Sequence, residues 1–245
     1  MKESHSILDS IMGAFVPIHR DGYKFVAGAA LVALILLAVA PPLGWVAVIA
    51  TLGCAYFFRD PERVTPGRKG LVISAADGKI AAVAEVKAAP ELGFGGETRR
   101  RISVFLSIFD VHIVRAPVAG RVVTSRHVPG AFLNAELDKA SEENERLALV
   151  IETETGAKIG LVLIAGLIAR RIVSFVGEGA RVERGQRIGL IRFGSRVDVY
   201  LPAHADVLVE PGQTAIGGET VLAEFAESKD MQPSRSVLGS SVTEG

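Results

Sequence analysis

The sequence predicts a mainly β (α+β) domain with tight glycine-punctuated hairpins, preceded by an N-terminal hydrophobic helical hairpin. Two patterns carry that expectation. From Leu71 to Phe225 short Val/Ile-rich runs recur between Gly, Pro, Asn and Asp, the spacing of strands in a sandwich or barrel. Ahead of them, Phe25–Ala40 and Leu43–Phe58 are sixteen residues each without a charge, separated by Pro41-Pro42. The apolar share of 49% and the mean hydropathy of +0.36 are high for a purely soluble chain, and the excess is concentrated in those two runs.

Taken in order, residues 1–22 place Ile7, Leu8, Ile11, Met12, Phe15 and Val16 at helical spacing, which reads as an amphipathic segment lying on a membrane surface. Residues 23–58 read as a membrane hairpin. Each run would make a helix of about 24 Å, somewhat short of a roughly 30 Å hydrocarbon core, and the double proline with Gly44 would end one helix and reverse the chain. The alternatives are a hairpin that dips in and returns, or a buried hairpin of a soluble protein. His19, Arg20 and Lys24 precede the first run, and Arg59 and Arg63 follow the second. Positive flanks at both outer ends place both on the cytoplasmic face of the cell (inner) membrane. Strand-like runs follow at Gly78–Val86, Arg101–Ser107, Gly120–Ser125, Leu147–Glu152, Lys158–Ile164 and Ile172–Val176. Val176–Gly189 has the turn punctuation of biotinyl/lipoyl-like hairpins, and residues 227–245 are polar with little to bury, as in a disordered tail.

Composition narrows the function. Lys+Arg and Asp+Glu are both 27, so no basic footprint for nucleic acid appears. Cys54 is the single cysteine and the five histidines are scattered, which suggests neither a disulfide nor a metal site.

Four segments could carry chemistry. Gly194-Ser195 interrupts an alternating strand pattern in Gly189–Tyr200; glycine inside a strand marks a kink or a close backbone approach, and a hydroxyl after it is also what a self-cleaving chain requires. Ser74–Ile80 contains Asp77-Gly78, a common turn pair. Phe105–Pro117 sets Asp110, His112 and Arg115 in an otherwise apolar stretch, where the histidine could equally be a satisfied core residue. His127–Ala135 carries a Pro-Gly turn into an amphipathic segment.

The chain resembles phosphatidylserine decarboxylase proenzymes of the short bacterial and archaeal form. The matching stretches are Phe58–Arg63, Ala76-Asp77-Gly78, Phe109–His112 through Arg115-Ala116-Pro117, Phe132–Ala135, Asn144-Glu145-Arg146 and Gly189 through Pro202. The resemblance implies a catalytic domain over 59–226 that cuts itself between Gly194 and Ser195 and converts Ser195 to a covalent pyruvoyl group, the cofactor. The two products, 1–194 and 195–245, would stay together as a heterodimer, within a further homo-oligomer. It also implies His112 as the base and Asp77 as its orienting partner, because an unactivated serine is a poor nucleophile. The pyruvoyl would form an imine with the amine of phosphatidylserine, accept electrons as CO2 leaves, and yield phosphatidylethanolamine after protonation. The membrane and its phospholipid are the implied partners, and phospholipid biosynthesis the implied role.

One departure stands out: longer members carry a second histidine where this chain has Arg115. The work of two histidines then falls on one, or Arg115 binds the substrate phosphate or carboxylate. Arg170 and Arg171 are further candidates for the lipid phosphate, or plain surface charge. A second Gly239-Ser240 lies in Leu238–Ser241, but cutting there would free only six residues, against 51 at Ser195. The rival readings are a non-enzymatic lipoyl-like module on a membrane anchor, for which Lys79 is the one tempting attachment lysine, and a serine hydrolase. The latter lacks a Gly-x-Ser-x-Gly elbow.

Overall fold

A computed structural model describes residues 16–130, 143–166, 171–192 and 195–225. Helix α1 covers Arg20–Val39 and α2 covers Pro41–Phe57. The strands are β1 Leu71–Ile73, β2 Gly78–Lys87, β3 Thr98–Leu106, β4 Ile113–Arg115, β5 Gly120–Val128, β6 Arg146–Glu152 and β7 Lys158–Ala165. They continue with β8 Ile172–Ser174, β9 Arg181–Val182, β10 Arg187–Ile191, β11 Ser195–Leu201, β12 Asp206–Val207, β13 Thr214–Ala215 and β14 Val221–Glu224. The protein is thus mainly β behind a helical hairpin, as the sequence pattern indicates.

Ala40 alone joins the helices, because Pro41 and Pro42 occupy the first positions of α2, where a missing N–H costs nothing. Close approach of the two helices depends on Gly44, since a Cβ there would stand 2.6 Å from the backbone nitrogen of Leu37. At 20 residues and a mean hydropathy of 2.1, α1 is long and apolar enough to cross a membrane, and only 11% of that stretch is buried. α2 is apolar but shorter. The base of the hairpin is closed by backbone bonds, from His19 N–H to the Phe58 carbonyl (2.8 Å) and from Asp60 N–H to the Pro17 carbonyl (2.7 Å). Residues 1–15, most of the expected amphipathic segment, and 226–245, which include the expected tail 227–245, lie outside the described residues.

An eight-stranded antiparallel sheet, in the order β13-β2-β3-β11-β7-β6-β5-β9, curls around the main core. Strand alternation turns Ile102, Val104 and Leu106 of β3, Leu161 and Leu163 of β7, and Val197, Val199 and Leu201 of β11 inward, all at 0% exposure. The opposite face of β6 and β7 is also apolar and is covered by Ala88 and Leu92 with Ala148, Val150, Val162 and Ile164. That explains why these two strands read as continuous apolar runs rather than alternating ones. Two three-stranded sheets, β1-β14-β12 and β4-β10-β8, complete the β domain. Phe57 and Phe58, 4% and 2% exposed, fasten the hairpin to it by packing on Val111, Ile113 and Leu190. Burial of each ring stabilises that joint by roughly 1.5–3 kcal/mol.

Candidate active site

The site is organised by the end of β3. Leu106 pairs with Ser195 on one side, Ser195 pairs with Ala165 on the other, and Lys79 of β2 pairs with Phe105. Gly78 therefore lies two strands from Ser195, roughly 10 Å by sheet spacing, with Asp77 just before it. Gly78 is required there. Its φ of 147° suits glycine, and a Cβ would run into the Phe105 carbonyl oxygen.

Ser195 opens β11 and is fully buried, and its Oγ has no hydrogen-bond partner among the described residues. By alternation it faces inward with Val197 and Val199. Asn144 braces the neighbouring strand, its Nδ2 donating to the Ala165 carbonyl at 2.7 Å while Ala165 N–H donates to the Glu145 carbonyl at 3.0 Å. An unpartnered buried hydroxyl costs about 1–3 kcal/mol and calls for an explanation. Ser103 Oγ of β3 is in the same state, and what sets Ser195 apart is its place at the start of β11, beside the end of β3 that leads to His112.

His112 arrives at the same end of the core. The chain leaves β3, makes the turn Ser107–Asp110, and brings the His112 carbonyl to Ile191 N–H (3.2 Å), four residues before Ser195. The imidazole is 0% exposed, and its Nδ1 lies 2.9 Å from the Asp110 carbonyl. A carbonyl only accepts, so Nδ1 carries the hydrogen and Nε2 holds the free lone pair. Nε2 too is buried without a partner. The Phe57 ring lies against the imidazole with centroids 4.3 Å apart. Burial lowers the His112 pKa to about 4, against the opposing pull of Asp110. The ring is therefore neutral and basic at Nε2 across the physiological range.

This depressed value has a stability consequence. Folded His112 resists protonation until about pH 4, whereas an unfolded histidine takes a proton near 6.5. Between those values the unfolded state binds more protons, so stability falls as pH drops from 6.5 towards 4 and this contribution levels off below. The shift corresponds to about 3 kcal/mol. Thermal denaturation against pH should show that slope in the wild type and lose it in His112→Gln.

Asp77 sits beside this pair rather than on it. Its carboxylate accepts from Arg63 (2.7 Å) and from Gly217 N–H (2.7 Å). Burial raises its pKa, with Arg63 and the Gly217 N–H opposing, and the Asp110 charge acts on both Asp77 and His112. The structure thus brings Ser195, His112 and Asp77 to one end of the core, while the acceptor that orients the His112 ring is the Asp110 carbonyl.

Arg115 is 5% exposed and its donors are engaged by the protein. It donates to the Gly185 carbonyl (3.0 Å), the Pro61 carbonyl (2.8 Å) and, at 3.5 Å, to Asp60 Oδ1. Asp60 also accepts from Arg187 Nε at 2.7 Å. The residue that replaces a histidine is here a clasp tying the segment after α2 to β4 and β10. Because Asp60 keeps Arg187, Arg115→Ala should destabilise the fold by about 2–4 kcal/mol, read as a lowered melting temperature. Lysine should not rescue it, since one ammonium cannot reproduce the guanidinium's reach to two carbonyls and a carboxylate at once. Arg171 is exposed, and its carbonyl accepts from Arg192 N–H (3.3 Å). Lys79 is exposed on β2. Gly194 and Arg170 lie outside the described residues.

Arg63, Phe57, Asp60 and Gly217 were not singled out by sequence reasoning as site residues. Arg63 and Asp60 are visible only as members of the stretch Phe58–Arg63, and Gly217-Gly218 carries the signal of a paired glycine. Among the described residues no group of three or more His, Cys, Asp or Glu is placed to hold a metal.

A curled β domain that buries Ser195 and His112, joined to an apolar helical hairpin, is the class of scaffold that carries the candidate site. The particular family follows from comparison. The family model for phosphatidylserine decarboxylase matches residues 51–223, more than half of the chain. The chain belongs to that family and is a phosphatidylserine decarboxylase.

Proposed function

We propose that the chain is made as a proenzyme which cuts itself between Gly194 and Ser195 and then decarboxylates phosphatidylserine at a membrane surface through a pyruvoyl group derived from Ser195. The observation that supports this best is the pair of unpartnered atoms, Ser195 Oγ and His112 Nε2, at one end of the core. In the cleavage, His112 Nε2 takes the hydroxyl proton and Oγ attacks the Gly194 carbonyl carbon. The C–N bond breaks, giving an ester in place of the amide. Loss of the Ser195 Cα proton then expels the Gly194 carboxylate by breaking the Cβ–O bond. Water displaces ammonia from the dehydroalanine that remains. The role of Asp77 in this reading is electrostatic positioning through Arg63 and Gly217, with the Asp110 carbonyl holding the tautomer of His112.

The residues present fit the pyruvoyl group. Ser195 begins a strand held on both sides, so the new N-terminus of 195–245 keeps its ladder to β3 and β7 after the cut. The two chains then remain a heterodimer without any covalent link. The group supplies a carbonyl that withdraws electrons from the substrate Cα as CO2 leaves. What the chain supplies is a closed apolar surround from Leu106, Ala165 and Val197, which keeps water from that carbon. His112 Nε2, once it holds a proton, is the donor at the same end of the core.

The hairpin serves the same chemistry. A diacyl lipid cannot easily leave a bilayer, and Phe57, the last residue of α2, touches the His112 ring. The basic residues at the hairpin base favour the cytoplasmic face. The test uses phosphatidylserine vesicles and borohydride. Reduction should attach the lipid amine covalently to the 51-residue chain of the wild type, and CO2 release should stop. Label-free 195–245 together with unaffected CO2 release contradicts the proposal.

A further inference from the structure

The turn Ser107–Asp110 carries two large apolar side chains that are exposed among the described residues. Ile108 is 48% and Phe109 68% exposed, although the residues on either side run into the core. The turn is firmly held. Ser107 N–H donates to Asp110 Oδ2 (2.8 Å), Phe109 N–H to Ser107 Oγ (3.3 Å), and Asp110 N–H to the Ser107 carbonyl (3.0 Å). The Arg59 guanidinium adds a bond to the Phe109 carbonyl at 2.7 Å, reaching across from the end of α2. A braced turn cannot fold its apolar tip back into the protein, so that tip meets whatever lies outside.

What lies beside it is the base of the hairpin. The same Arg59 guanidinium stacks on Tyr56, 3.8 Å from the ring centroid. Arg192 lies over the Phe25 ring at 5.0 Å and Lys24 near it at 5.3 Å. Tyr23, Phe25 and Tyr56 are 59%, 40% and 52% exposed. Above this collar the hairpin exposes Leu31, Leu34, Ile35, Ile49 and Leu52. Aromatic rings and cations below an apolar stretch form the pattern of a membrane–water boundary. The acids nearby are Asp21 in the first turn of α1, Asp110, whose carboxylate faces Ser107 N–H, and Asp60, whose carboxylate is taken up by Arg187 and Arg115. In a chain of zero net charge, this local excess of cations complements an anionic surface.

We propose that the Ser107–Asp110 turn is a second membrane-contacting element, with Ile108 and Phe109 seated at the headgroup–acyl boundary of an anionic bilayer beside the hairpin. The turn leads directly into His112, so docking it sets the height of the catalytic imidazole over the lipid layer. The proposal rests on the membrane-surface reading above but not on the cleavage chemistry.

The test is a single-tryptophan protein, Phe109→Trp in a Trp45→Phe background, with the full chain reconstituted into phosphatidylcholine/phosphatidylglycerol vesicles. The expected result is blue-shifted emission, quenched by lipids brominated high on the acyl chain and protected from aqueous iodide. Emission at the solvent-exposed maximum, quenched by iodide and indifferent to brominated lipid, overturns the proposal. Quenching needs no catalysis, so an uncut, inactive chain that is still quenched removes only the cleavage reading. A cut, active chain that is not quenched removes only this one. As a second variant, Ile108→Ser/Phe109→Ser should be cut normally and lose about tenfold in rate on vesicle substrate. Its rate on dispersed short-chain phosphatidylserine should be unchanged; equal losses on both substrates contradict the docking role.

Discussion

Ser195→Ala should remain a single 245-residue chain, inactive as a decarboxylase, and at least as stable as the uncut wild type. On the proposed mechanism the loss is complete because the hydroxyl is the nucleophile of the cut and, once esterified, the oxygen whose departure from Cβ leaves the dehydroalanine; alanine offers neither. The stability side is the less obvious half. The Oγ is fully buried and makes no hydrogen bond, so removing it relieves a desolvation cost of about 1–3 kcal/mol and leaves only a hydroxyl-sized gap. A serine kept for packing or bonding would behave in the opposite way. Gel analysis and a melting curve on the same preparation read both halves.

His112→Gln should slow the cut by roughly 10²–10⁴-fold while leaving the fold near wild-type stability at neutral pH. A glutamine amide can still donate to the Asp110 carbonyl that His112 Nδ1 now occupies, and its volume keeps most of the contact with Phe57. It has no basic nitrogen to accept the Ser195 proton. A structural histidine would show the reverse pattern, with altered melting and an unchanged rate of cutting. Pulse-labelled protein followed over hours on a gel separates the two.

The parts of this molecule legible in its sequence are those fixed by near neighbours. Two uncharged runs around Pro41-Pro42 can only be a helical hairpin or a close relative of one, and α1 and α2 follow them within a few residues. Ser195 was visible because glycine in front of an alternating strand is costly without a reason. The joints of the site were hidden because they are made by backbone atoms or across long separations. The Asp110 carbonyl that orients His112 has no side-chain signature. Asp77 looked like a turn residue, and its partners Arg63 and Gly217 are brought to it from opposite ends of the β domain. Arg115, which the sequence offers as one candidate for the substrate phosphate or carboxylate, donates to Asp60, Pro61 and Gly185, the last of them 70 residues away. A guanidinium in a motif carries the same letter whether it faces a ligand or a carbonyl, and only the fold distinguishes them.

Where the chain is cut decides whether Ser195 is the origin of the reactive group. Intact mass of the purified wild type under denaturing conditions, beside Ser195→Ala and Ser240→Ala, tests this most directly. The expected result is two chains of 194 and 51 residues in the wild type and in Ser240→Ala, the smaller one ammonia lighter than the plain peptide, and one chain in Ser195→Ala. A single uncut chain from folded, membrane-bound wild type, or cutting that survives Ser195→Ala, would contradict it.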